Sequence, residues 1–572
     1  MSIDIETYRL KAQEAIEYVF VKEYHNSLGI PMPIVKMLLP DDANYSTGQY
    51  YITIDKTWQI HLNFGKLPIS YHEFQNEVKV LTRHEIEHYM CCPFDVITHF
   101  RMLKRIRDVY YKHFSHLGIN IEYACGAISN QAADIIVDTK NYYRHSKETL
   151  KSEIDWIKIG ANISACPRHC KLMFLTKEAI WKEDLGINET DPEFLKIVHQ
   201  LADSFTKNGI EDKSSFLDKV EEYAEIFFKL YVEDQKNPQQ SSQQGSQQQN
   251  GQQGPQQQSG QQGSQQQSGQ WGVGRPKDGD EHGNAFVFAD PDKVKEAIEV
   301  LAEETSVEEF IDLLAIAGII GMSDKQKGVL WFNVQSANII PIVEFSNTGN
   351  KSSYTYPSVW RIGDPIEELD LMLTYMTSPR LIPGMTTKKW GYVSNDDNGT
   401  ESKQMDLLLV VDTSGSMGSA MKESANMHQA VLASYGILSY FESTKSKVAF
   451  IGFSDKIDAY VDWSDKYDDV RERLLTNGHG GTKFPISRIK STLDVRSRDL
   501  VTVLITNGDL GNINESVSYF RDYLNDDNKL YIFLLGGSKS LHSYEPLKNI
   551  GAKIYNANNA NEFCDMVLTD ME

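Results

Sequence analysis

Met405-Asp-Leu-Leu-Leu-Val-Val-Asp412-Thr-Ser414-Gly-Ser416 decides the fold of the C-terminal part of the chain. Leu407–Val411 is short and almost continuously apolar, the pattern of a strand buried on both faces. Three more runs of this kind, Val448–Phe453, Leu500–Ile505 and Leu530–Leu535, are separated by segments with helical periodicity. Strands alternating with helices in this way predict a doubly wound α/β domain with a parallel sheet. Ligands of such a sheet lie outside the carboxyl ends of the strands. Asp412, Ser414 and Ser416 follow directly on the first strand. They offer one carboxylate and two hydroxyls there. Thr482, after Gly480-Gly481, can add a hydroxyl, and Asn507 or Asp509, after the strand ending at Ile505, can complete the set. An oxygen-only set with few anionic members suits a hard cation, Mg²⁺ or Mn²⁺, and leaves it electron-poor enough to accept an acidic side chain from a partner.

Upstream, residues 235–270 are nearly all Gln, Gly and Ser, with a nine-residue unit repeated at Gln243–Gly251, Gln252–Gly260 and Gln261–Gly269. Such a segment has too little apolar surface to offset its ordering entropy and is expected to be a flexible tether. As a random coil it spans roughly 30–36 Å. The predicted division is therefore 1–234, mainly helical; 235–271, linker; 272–403, helical and mixed, packed against the last domain; and 404–572, the α/β domain. Helices are expected over roughly 5–25, 71–91, 95–116, 128–145, 170–183, 212–232 and 291–322. The alternation of Ile52 and Ile54, then of Trp58, Ile60, Leu62 and Phe64, predicts half-buried strands.

The first half carries His84-Glu85-Ile86-Glu87-His88. On a helix His84 and His88 share a face about 5–6 Å apart, so both imidazoles can reach one zinc ion. Glu85 sits beside them, where a base acting on metal-bound water belongs. Zinc brings that water's pKa to about 7. A third ligand is required, and Cys91 and Phe94 occupy the positions where a His-x-x-Gly-x-x-His continuation needs Gly and His. Asn130-Gln-Ala-Ala-Asp134-Ile-Ile-Val-Asp138 is the better source: Asp134 and Asp138 also share a helical face, one to bind metal and the other to accept a ligand histidine's N–H. Nine of the fifteen histidines fall between His61 and His169. The Trp58–Phe64 strand is a candidate to pair with an extended peptide substrate. Cys166-Pro-Arg-His169-Cys170 lacks a second pair of ligands and reads as ordinary thiols.

Two resemblances follow from these motifs. The segment 405–568 resembles the von Willebrand factor A fold with its metal-ion-dependent adhesion site; Thr506-Asn507-Gly508 departs from that family's usual Thr-Asp-Gly. The whole chain is similar to bacterial and phage proteins that join a zincin-like metallopeptidase domain to a C-terminal A-type domain. That resemblance implies a partnership with an AAA+ ATPase of the MoxR type, as an ATPase-linked protease or as a non-catalytic adaptor.

Composition sets outer bounds. A net charge of −22 disfavours nucleic acid as the main partner. The longest apolar stretch, Leu313–Met322, is about half of a bilayer span. The N-terminus has neither the basic nor the apolar region of an export signal, and six cysteines in 572 residues make no disulfide framework. The expectation is a cytoplasmic protein without a membrane segment.

Overall fold

The computed structural model describes residues 5–28, 32–38, 50–54, 59–64, 70–159, 163–236, 291–319, 322–339, 358–359, 369–370, 388–389, 405–496, 499–508, 510–526, 528–536 and 541–557. The expected Gln-rich tether lies outside them from residue 237 onward; its first two residues, Gln235 and Lys236, close a helix. The chain divides into two compact units, Met1–Thr305 with Glu309–Gly321, and Ser306–Glu308 with Met322–Glu572. The first is mainly helical and the second is built on an α/β sheet.

In the helical unit, α1 (Ile5–Glu17) and α2 (Tyr71–Met90) pack with a sheet of β1 (Ile34–Leu38), β2 (Tyr50–Ile54) and β3 (Gln59–Phe64). Their shared core includes Ala12, Ile16, Ile60, Leu62, Phe74 and Val78. A capping box starts α2: Ser70 accepts from the Glu73 N–H, and the Glu73 carboxylate accepts from that of Ser70. These two bonds satisfy amides that the first helical turn leaves open. Next come α3 (Val96–Val109), α4 (Ile121–Ile159), α5 (Arg168–Trp181), α6 (Pro192–Thr206) and α7 (Phe216–Lys236). The 128–145 helix of the sequence is the middle of the much longer α4, which leaves helical geometry at His145.

Two expectations need correction. The Trp58–Phe64 strand cannot pair with a peptide, because β3 is the central strand, parallel to β1 on one side and antiparallel to β2 on the other. Its N–H and C=O groups are already used on both edges. Nor does the 272–403 region pack as one body with the α/β domain. Its first helix, α8 (Pro291–Glu304), joins the helical unit, where Arg101 reaches Glu304 on α8 and Arg107 pairs with Asp312 at 2.8 Å.

In the second unit, α10 (Asp324–Ile339; α9 is Val307–Ile316) lays Trp331 and Phe332 against His428 of α11 (Asn426–Ser443). A small three-stranded ladder, β4 (Ser358–Val359), β5 (Leu369–Asp370) and β6 (Lys388–Lys389), comes before the main sheet. That sheet contains β7 (Asp406–Asp412), β8 (Val448–Phe453), β9 (Ile457–Ser464), β10 (Leu500–Thr506), β11 (Lys529–Leu535) and β12 (Lys553–Ala557), in the order β12-β11-β10-β7-β8-β9. All its pairs are parallel except β8–β9. Every residue of β7, β8 and β10 is buried, which explains their unbroken apolar sequence. The strand order reverses between β7 and β10, neighbours in register from Leu500↔Asp406 to Ile505↔Val411. That is a topological switch point, so the loops after Asp412 and Thr506 open from adjacent strand ends.

Candidate metal centres

Helix α2 presents His84 and His88, both buried, one turn apart, with their rings nearly perpendicular. Asp134 comes from the facing turn of α4. His84 Nε2 and His88 Nε2 are 3.1 Å apart, and Asp134 Oδ1 lies 3.4 Å from the first and 3.2 Å from the second. Ligand atoms on a tetrahedral zinc ion at about 2.0–2.1 Å are about 3.3 Å from one another, so this triangle fits one face of such a site. Among the described residues, these three form the His/Cys/Asp/Glu cluster with metal-holding spacing.

The proton positions fit as well. His84 Nδ1 bonds Asp138 Oδ1 at 2.6 Å, and His88 Nδ1 bonds the Cys92 carbonyl at 2.8 Å. Both partners are acceptors, so each Nδ1 carries the hydrogen and each Nε2 turns a lone pair inward. Asn130 Nδ2 holds Asp134 Oδ2 at 3.1 Å, and Asp134 Oδ1 is buried without a well-formed hydrogen bond. Two lone pairs and a carboxylate oxygen converging in a buried space repel one another unless a positive charge joins them. Metal-free, a proton takes that part. Burial lowers the His84 pKa, but Asp138 and Asp134 outweigh it and hold it up at about 10. Asp134, which burial alone pushes up, is pulled well below the usual carboxylate range by both histidines.

Glu85 is buried on the same helix, between the two histidines in sequence. Glu87 faces elsewhere and anchors α2: its carboxylate takes the Tyr24 hydroxyl at 3.0 Å, Arg144 at 2.9 Å and Lys140 at 2.9 Å. Among the described residues His169 joins no second centre; its Nδ1 is 2.8 Å from Asp234 Oδ2. Sequence spacing missed Asn130 as a support of Asp134, although it lies one turn before it. It also missed Lys177, whose Nζ is 2.6 Å from Asp138 Oδ2.

In the α/β unit, the Ser414 N–H donates to Asp412 Oδ1 at 2.8 Å and the Thr506 hydroxyl donates to Asp412 Oδ2 at 2.6 Å. Asp412 therefore ties the two strand ends together. Ser414 Oγ and Ser416 Oγ are 3.1 Å apart, Ser416 Oγ donates to Asn507 Oδ1 at 3.0 Å, and Asn507 Nδ2 donates to the Ser416 carbonyl at 2.8 Å. Adjacent ligands on an octahedral Mg²⁺ are about 2.9–3.0 Å apart, so the two serine hydroxyls have the spacing of neighbouring positions. The half-buried Thr482 follows Gly480, whose carbonyl accepts the Gly415 N–H at 3.4 Å. The structure thus brings the Thr482 loop to the Asp412 loop and sets Asn507 against Ser416. Asp509 lies outside the described residues. Sequence reading also missed Asp458, which accepts from the Thr413 hydroxyl at 2.7 Å.

No protein-family model matches the sequence. No curated protein matches it either. Among solved structures the chain is similar to the conserved hypothetical protein BatB from Bacteroides thetaiotaomicron, with 12% identity over 29% of this chain and 97% of that one and a TM-score of 0.26. It is also similar to an uncharacterized membrane spanning protein from Vibrio fischeri, with 18% identity over 29% of this chain and 96% of that one and a TM-score of 0.13. Among the described residues of the present chain, no helix is long and apolar enough to cross a membrane.

Proposed function

We propose that the helical unit is a zinc-dependent, zincin-like peptidase domain. The α/β unit is then a von Willebrand factor A-like domain whose Mg²⁺ or Mn²⁺ site takes an acidic side chain of a protein partner. An AAA+ ATPase of the MoxR type is the partner class that the sequence resemblance implies, and the cytoplasm is the compartment in which the pair acts. One observation carries the peptidase half: three inward-facing donor atoms at 3.1–3.4 Å from one another, with both imidazoles held in the metal-binding tautomer. His84, His88 and Asp134 hold the ion, while Asp138 and the Cys92 carbonyl orient the rings. Zinc bound there would supply a Lewis acid and a water acidified to a pKa of about 7. Glu85 would be the base for that water's proton and the acid that returns it to the leaving amine. Glu85→Gln is expected to keep zinc and to lose peptide cleavage by about 10²–10⁴-fold, measured on a peptide library beside metal analysis. Cleavage equal to the parent contradicts the assignment.

The Ser414–Ser416–Asn507 cluster also supports a non-catalytic adaptor, in which this site does the work and the zinc centre is structural. Mg²⁺-dependent capture of the ATPase, lost in Asp412→Ala, together with no cleavage by the parent, favours the adaptor. Cleavage by the parent that Glu85→Gln abolishes favours the peptidase.

A further inference from the structure

Asp134 and Asp138 have the same chemistry, lie one turn apart on one face of α4, and both approach His84. Their surroundings differ. Asp134 leaves Oδ1 turned toward the two Nε2 atoms. Asp138 has both oxygens engaged, Oδ1 by His84 Nδ1 at 2.6 Å and Oδ2 by Lys177 Nζ at 2.6 Å. Lys177 comes from α5, and its side chain is only 2% exposed. Its ammonium also reaches Glu153 Oε1 at 2.9 Å, from the later part of α4. Bringing an ammonium this far from water is costly unless its partners are fixed, so its position on Asp138 calls for a role.

We propose that Lys177 is a positioning residue that decides which aspartate becomes the metal ligand. By filling Asp138 Oδ2 and offsetting that carboxylate's charge, it removes Asp138 as a competing ligand. It also fixes the carboxylate plane in the orientation that takes the His84 N–H. The metal is left to Asp134 and two correctly turned imidazoles. Outer partners of metal ligands typically act this way, on affinity and ligand orientation. The inference rests on the zinc assignment proposed above.

An ion pair that only staples α5 to α4 is the competing account, and Glu153 separates the two. Lys177→Met and Glu153→Gln both break the Lys177–Glu153 pair, but only the first frees Asp138. The experiment uses the full chain with metal alone, reading zinc affinity by chelator competition and ligand geometry from the visible absorption of bound Co²⁺. Lys177→Met is expected to weaken zinc by about 10–100-fold and to alter the Co²⁺ spectrum, while Glu153→Gln stays close to the parent in both. Should Lys177→Met fail to fold, the double variant Lys177→Met/Glu153→Gln, which leaves no stray Glu153 charge, is read in its place with the same expectation. Parental affinity and spectrum in the Lys177 variants overturn the proposal. So does an equal loss in Glu153→Gln. A parent that takes up neither zinc nor Co²⁺ overturns the zinc assignment itself, an outcome distinct from the other two.

Discussion

Asp412 is fully buried, and its two oxygens are spoken for by the Ser414 amide and the Thr506 hydroxyl. Its first task is therefore to hold two loops in register so that the hydroxyls of Ser414 and Ser416 point the same way. Removing the Thr506 hydroxyl leaves Asp412 Oδ2 buried without that donor. Thr506→Val is close in shape and is expected to cost about 1–3 kcal/mol of stability in the α/β unit, read as a lower denaturation midpoint at unchanged slope. An unchanged midpoint contradicts that account of Thr506. Residue chemistry of this kind was only partly legible in the sequence. Asp412-x-Ser414-x-Ser416 is local and could be read from spacing alone. The Thr506–Asp412 bond spans 94 positions and depends on two strands being neighbours. Lys177 went unread for a related reason, since nothing in its own segment says which helix it will face, whereas Asn130 lies one turn before Asp134 on the same helix and was open to a reading from spacing.

At the scale of elements, the loop that carries Thr482 is fitted to its surroundings at Gly478. A Cβ there would lie 2.5 Å from the Thr413 carbonyl oxygen and 2.6 Å from its hydroxyl, with the Asp458 carboxylate closer still. These neighbours are backbone and a bonded pair, so the loop itself has to move. Gly478→Ala is expected to destabilise the unit by about 1–3 kcal/mol and to weaken Mg²⁺ binding, checked by thermal unfolding with and without Mg²⁺. A Gly478→Ala protein with parental melting and Mg²⁺ response contradicts the fit. Elements whose burial is uniform were the most legible. The strands β7, β8, β10 and β11 match the four apolar runs, because parallel strands covered on both faces leave no room for alternation. Helix α6 was missed although its start signal, Asp191-Pro192, and its buried row Phe194, Val198, Leu201 and Phe205 follow the helical period. The error over β3 has a different origin. Alternation reports that a strand has a wet and a dry face, and it says nothing about whether its edges are free.

For the whole molecule, two units carry two candidate metal sites of opposite character, nitrogen and carboxylate donors in one and mainly hydroxyl and amide oxygens in the other. On the proposed function, ligand softness sorts zinc to the first and a hard cation to the second. The two donor groupings were legible in the sequence because each is built around one short motif. The sequence did not convey that the chain beyond the Gln-rich segment contributes α8 to the helical unit, since that depends on ion pairs such as Arg101–Glu304, 203 positions apart. The central claim is that His84, His88 and Asp134 hold one zinc ion. Its most direct test is the zinc content of the purified full chain after exposure to zinc and removal of loosely bound metal, beside that of Asp134→Ala. The account predicts one zinc per parent chain and a large loss in the variant with its fold intact by circular dichroism. A parent without zinc, or an Asp134→Ala chain that retains it fully, contradicts the account.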